Sequence, residues 1–162
     1  SRTLYCQEMR VNVTPEMVHR FARELSRGLK KPVRVYFTGG VTAVLMGWRS
    51  TTLYLDIKID PDSDEAFRRL PDLKERLEIN VELACPDDFI PPLPGWREKS
   101  IFIATYGEGH FFHYDMRAQA LAKIERGHAN DGPDVEHMLA DGLVQPVKHQ
   151  CRVIKQGLSG RR

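Results

Sequence analysis

The sequence predicts an α/β (α+β) domain: a small mixed sheet flanked by helices, with more helices towards the C-terminal end. Three observations carry this. Apolar and polar residues alternate in several short runs, the period of a strand. Between those runs, apolar residues recur at helical spacing. The two patterns follow one another as helix, strand, short helix, strand, helix, strand, hairpin and helix pair, an order expected of helices packed on a sheet. At 162 residues, the expectation is one domain spanning 1–162.

Each element has a local reason. Thr14 is placed to cap a helix whose first position is Pro15, where a missing N–H costs nothing. Met17, Val18, Phe21 and Leu25 form its apolar stripe, and Gly28 ends it. Val33, Val35 and Phe37 alternate with Arg34, Tyr36 and Thr38 as the first strand. Gly39-Gly40 breaks that strand, and Val41 to Met46 reads as a short helix ending at Gly47. Leu53, Leu55, Ile57 and Ile59 alternate with Tyr54, Asp56, Lys58 and Asp60 as the second strand. Ser63 caps a helix from Asp64 that is expected to be interrupted at Pro71 and to resume through Leu77. Ile79, Val81 and Leu83 mark the third strand. A proline-rich loop runs from Pro86 to Trp96, and Ile101–Thr105 and His110–Tyr114 read as a hairpin turning near Gly107. Asp115 caps a helix ending at Gly127, and Val135, Met138 and Leu139 stripe a last helix ending at Gly142.

Composition excludes several classes. A net charge of +2 with 28% charged residues is too balanced to indicate nucleic-acid binding without further signs. Part of the basic excess crowds the C-terminal end at Lys148, Arg152, Lys155, Arg161 and Arg162, where a solvated terminus suffices. Cys6, Cys85 and Cys151 are odd in number and far apart, so neither a disulfide framework nor a zinc site is suggested. No apolar run approaches the ~20 residues that cross a bilayer, and Ser1 to Tyr5 lacks the apolar stretch of a secretory signal. The expectation is a cytoplasmic protein without a membrane partner.

The chemistry concentrates between Phe37 and Asp56. A strand runs into Gly39-Gly40, which opens a helix. Glycines permit close backbone approach, and a helix N-terminus offers N–H groups to an anion such as phosphate. Gly47-Trp48-Arg49, Thr51-Thr52 and a strand bearing Asp56 follow closely. This cluster resembles the nucleotidyltransferase superfamily. More narrowly, it is similar to minimal nucleotidyltransferase-like proteins related to toxins of type IV abortive-infection toxin–antitoxin systems. The Pro86-to-Trp96 loop and the segment Lys123-x-x-Arg126 with Asp134 extend the resemblance, which covers roughly residues 33–142.

The resemblance implies a fold, an activity and a site. Nucleoside monophosphate would pass from an NTP to an RNA (such as tRNA) or protein acceptor, with magnesium as cofactor and an antitoxin as a possible protein partner. Two carboxylates at a spacing of two share one face of a strand and together bind metal. Here those positions are Tyr54 and Asp56, so one carboxylate is replaced by a neutral phenol, a weaker magnesium ligand. Asp60 is roughly 13 Å along the strand from Asp56 and does not substitute. Glu82, on the polar face of the third strand, is the best further carboxylate, followed by Asp87 and Asp88. The implied catalytic residues are Asp56, Glu82, Lys123 and Asp134, with Asp56 and Glu82 as metal ligands. Thr38, Gly39, Gly40, Arg49, Thr52 and Arg126 would bind the nucleotide. Lys123 and Asp134 could bridge a phosphate site or simply pair.

Other residues have plainer readings. His110 and His113, three apart on a strand, point to opposite faces and suit no shared metal. His128 and His137 suit dipole or surface roles, Cys85 suits a buried thiol, and Trp48 and Trp96 suit packing. Tyr54 also favours an alternative: a catalytically degenerate module that binds nucleotide or RNA, or engages a protein. A third reading is a structural subunit that docks a partner through the Pro86–Trp96 loop.

Overall fold

The computed structural model describes residues 12–127 and 131–145. Cys6, Cys151, His128, the Ser1–Tyr5 segment and the basic residues from Lys148 onward lie outside the described residues. The protein is a mixed α+β structure built on one five-stranded sheet. Helix α1 spans Pro15–Ser26, β1 Val33–Thr38, α2 Gly40–Leu45, β2 Tyr54–Ile59, α3 Asp64–Leu77 and β3 Asn80–Leu83. A 3₁₀ turn at Pro86–Asp88 and the short α4 (Trp96–Lys99) lead to β4 (Ile101–Tyr106), β5 (Gly109–His113), α5 (Met116–Arg126) and α6 (Asp131–Ala140). Among the described residues, no helix is long and apolar enough to cross a membrane.

Two compact units can be told apart. The first holds the described residues through Ala84 together with Ile101–His113, and therefore the whole sheet. Its strand order is β3-β2-β1-β5-β4. Strand β1 runs antiparallel to β2 and parallel to β5, while β2 and β3 are parallel. The apolar alternation explains the core. Val33, Val35 and Phe37 share a face with Leu55, Ile57, Val81 and Phe111, and Phe21, Leu25, Leu70 and Leu73 from α1 and α3 join them in one buried cluster. Thr14 caps α1 as the sequence suggests, accepting from the Met17 N–H at 3.3 Å.

Helix α3 corrects one expectation. The break at Pro71 does not occur, and one helix runs through it. Pro71 is exposed, while Ala66, Leu70, Leu73 and Leu77 are buried along a single stripe that continues past it. Burying that stripe outweighs the hydrogen bond that proline cannot donate, a cost of about 3 kcal/mol in a helix interior.

The second unit comprises Cys85–Ser100 and the described residues from Tyr114 onward. Asp115 caps α5, accepting from the Arg117 N–H at 2.9 Å and pairing with the Arg117 guanidinium at 2.6 Å. Trp96 is buried and stacks on Tyr114 with centroids 4.6 Å apart, the packing role its sequence position suggested. Cys85 is half-buried rather than buried, because it sits on a surface turn, where its N–H donates to Asp88.

Candidate functional site

In the first unit, β-sheet register decides which polar residues meet. Thr38 stands opposite Asp56, and Asp56 opposite Glu82. Directly opposed residues on neighbouring strands share a face, with strands about 4.8 Å apart. Thr38, Asp56 and Glu82 therefore form one row across β1, β2 and β3, on the face turned away from the apolar cluster. Thr38 is buried, Asp56 half-buried with a buried Oδ1, and Glu82 exposed on the edge strand. The next row pairs Tyr54 with Asn80, so it has no carboxylate on either strand. Tyr54 is 40% exposed.

The glycine turn abuts this row. Gly39 adopts φ +63°, a conformation that side chains rarely take. A Cβ built on it would lie 3.0 Å from Asp56 Oδ2. A Cβ on Gly40 would lie 2.1 Å from Thr52 Oγ1 and 2.9 Å from Thr52 Cβ. The two glycines thus give the Asp56 carboxylate and the Thr52 side chain room against the main chain. Thr52 is fixed from behind, because its backbone pairs with Val13 in both directions, at 2.6 and 3.0 Å.

Other contacts hold the turn. Thr38 Oγ1 donates to the Ala84 carbonyl at 3.1 Å. Strand β2 lies between β1 and β3, so this bond requires the chain leaving β3 to fold over the Asp56 face. On the opposite face, Thr42 of α2 and His113 of β5 share a hydrogen bond, Oγ1 to Nδ1, at 3.0 Å. Both are buried, and burial lowers the His113 pKa to about 4, so the imidazole is neutral near pH 7. His110 and His113 face opposite sides of the sheet, as their spacing implies. The Arg49 N–H donates to the Ala43 carbonyl at 3.3 Å, wrapping the chain around the end of α2.

The remaining sequence-derived candidates lie in the second unit. Lys123 Nζ is 3.0 Å from Asp134 Oδ2, and the two side chains are 5% and 2% exposed. Of the two alternatives left open for these residues, pairing is what the geometry contains. Arg126 is exposed, with its guanidinium 5.7 Å above the Phe89 ring. Asp88 caps its own turn, accepting from the Cys85 N–H at 3.0 Å. Asp87 accepts the Tyr114 hydroxyl at 2.6 Å. Burial foremost, and then Asp87, raise the Tyr114 pKa well above the ordinary tyrosine range.

The sequence reading missed Thr42–His113 and Asp87–Tyr114. Their partners lie 71 and 27 residues apart, and no local pattern pairs them. A metal site built from protein ligands alone is not present: among the described residues, no three His, Cys, Asp or Glu side chains cluster suitably. Glu82 also borders a groove of about 550 Å³ with Phe67, Leu70, Pro71 and Lys74. Its lining is mainly apolar, so it does not suit a phosphate.

Fold and site together define an α+β protein with an acidic cross-strand row beside a glycine turn. Compared with known protein families, curated proteins and solved structures, the chain matches none.

Proposed function

We propose that the chain is a nucleotidyltransferase-like protein. It moves a nucleoside monophosphate from an NTP to a hydroxyl of an RNA or protein acceptor. The observation that carries this reading is the Thr38–Asp56–Glu82 row lying against Gly39-Gly40. Asp56 and Glu82 suit magnesium, which commonly takes one or two carboxylates and completes its shell with water and substrate phosphates. When bound, the ion would supply charge neutralisation on the triphosphate. The chain's own part is positional. Gly39 and Gly40 keep side chains from crowding the main chain, and Asp56 directs a carboxylate at that turn. Thr52 braces Gly40, and Thr38 ties β1 to the chain beyond β3. Arg49 braces the end of α2 or meets the nucleotide. The proposal rests on the first unit alone. A cytoplasmic location and a cognate antitoxin are parts of the same reading.

The alternative is a degenerate module that binds nucleotide or RNA without transfer. Tyr54 opposite Asn80 favours it, because the second carboxylate is missing and its neighbour on β3 is an amide. Calorimetric titration with NTPs, with and without magnesium, distinguishes the two when combined with a labelled-NTP transfer assay. The enzyme reading expects magnesium-dependent binding that Asp56→Asn abolishes, and transfer that Tyr54→Asp increases. Binding that ignores magnesium supports the module. If the Tyr54→Asp protein neither binds metal nor transfers label, the enzyme reading fails.

A further inference from the structure

The glycine turn is held from both faces of the sheet. Asp56 meets it on one face. On the core side, Thr42 Oγ1 lies 3.0 Å from His113 Nδ1 and 3.5 Å from the Phe37 carbonyl oxygen. Phe37 precedes the turn, and Thr42 follows it in the first turn of α2. The Thr42 hydroxyl therefore closes a loop that contains Gly39 and Gly40. His113 fastens that loop to β5, where it stands opposite Phe37. Thr42 is 0% exposed and His113 5%.

Counting protons assigns the donors. Burial keeps the His113 ring neutral near pH 7, so one of its two nitrogens carries a proton and the other does not. A hydroxyl has one proton to donate, and a carbonyl can only accept. To serve both neighbours, Thr42 gives its proton to Phe37 and accepts one from His113 Nδ1. The far side of the ring leads to the same assignment. His113 Nε2 has no hydrogen-bond partner among the described residues. A proton there would leave a buried N–H unpaired, which folded proteins rarely tolerate. A bare Nε2 leaves only a lone pair.

We propose that His113, as the Nδ1–H tautomer, is a positioning residue for the glycine turn. His113 donates to Thr42, Thr42 donates to Phe37, and this chain of hydrogen bonds ties both ends of the turn to β5. The turn then keeps one placement beside Asp56, and an arriving phosphate meets a main chain already in position. His113 lies on the face away from Asp56, so it acts through Thr42 rather than on the nucleotide. The positioning role rests on the nucleotide-binding reading above, whereas the tautomer does not.

Two measurements on the full chain test this. The first is a long-range proton–nitrogen correlation spectrum near pH 7 of protein carrying nitrogen-15 histidine, with His113 assigned by its loss in His113→Gln. A protonated Nδ1 and a bare Nε2 are expected, and the reverse pattern overturns the proposal. The second is calorimetric titration with ATP and magnesium. Thr42→Val keeps the shape of the side chain without the hydroxyl and should weaken ATP binding by about tenfold. Thr42→Ser keeps the hydroxyl and should bind as the parent does. Parent-like affinity in Thr42→Val overturns the positioning role and leaves nucleotide binding standing. Should Thr42→Val fail to fold, the comparison passes to His113→Asn, which keeps a donor near the Nδ1 position, and His113→Leu, which does not. Tighter ATP binding by His113→Asn is expected, and equal affinities overturn the role. A parent that binds no ATP overturns the nucleotide reading and the positioning role together, and the spectrum still decides the tautomer.

Discussion

Asp56 Oδ2 lies 3.0 Å from the point where a side chain on Gly39 would begin. The carboxylate and the glycine turn are therefore one structural unit, although seventeen positions separate them in the chain. At Gly39→Ala, a positive φ and this close approach act together. A loss of about 1–3 kcal/mol is expected, measurable by urea denaturation. Gly40→Ala should cost at least as much, since its new Cβ meets Thr52 Cβ as well as the hydroxyl. If both alanine variants unfold at the parent's midpoint, the turn is looser than described.

Lys123 and Asp134 form a buried pair in the second unit. Removing one partner takes the opposite charge away from a buried ion, so Lys123→Met or Asp134→Leu alone should lose about 3–5 kcal/mol. Replacing both should recover most of that loss, because two apolar groups leave no buried charge. Chemical denaturation of the two single variants and the double variant measures the coupling. Losses that simply add would show that the residues do not act as a pair.

His113 ties stability to pH. Its pKa is about 4 when folded, lowered by burial from an ordinary 6.5. Between those values the unfolded chain binds the proton more readily, so folding is favoured less as pH falls. The contribution is complete above pH 6.5 and is lost as pH drops through 4. Its full size is about 3 kcal/mol. His113→Gln should flatten the slope of unfolding free energy across that window. An unchanged slope would place the titration elsewhere.

Pro71 lies inside α3 with its ring exposed. Pro71→Ala restores a donor to the helix and should raise stability by about 1–3 kcal/mol. Thermal unfolding provides the check, and a lower melting temperature would show that the proline ring itself packs usefully.

Most of the fold was legible because its elements announce themselves locally. The strand alternation at 54–59 shows which side chains are buried, whereas at 33–38 it misses Tyr36 and Thr38, which are buried on the polar face. Thr14, Ser63 and Asp115 mark helix starts, because each side chain accepts a hydrogen bond from an amide of the first helical turn. Pro71 misled for the same reason. A local penalty was visible in the chain, whereas the apolar stripe that outweighs it gains its energy only against the sheet. Residue type and strand face made Glu82 a candidate, but its place beside Asp56 depends on the parallel register of β3 on β2. The hairpin was legible as a hairpin. The place of His113 opposite Phe37 was not, because it depends on β5 pairing with β1 across a long sequence separation.

The sequence alone was sufficient for the α+β class, the order of elements and the glycine turn. Each depends on residue identity or on spacing within a few positions, and the chain carries both. The strand order, the Thr38–Asp56–Glu82 row and the Lys123–Asp134 and Thr42–His113 pairs required the folded chain. They join residues whose separation in sequence says nothing of their distance in space. In the sheet, they form because the core of the first unit must be buried, and the fit of its side chains selects one register from several that local patterns would allow.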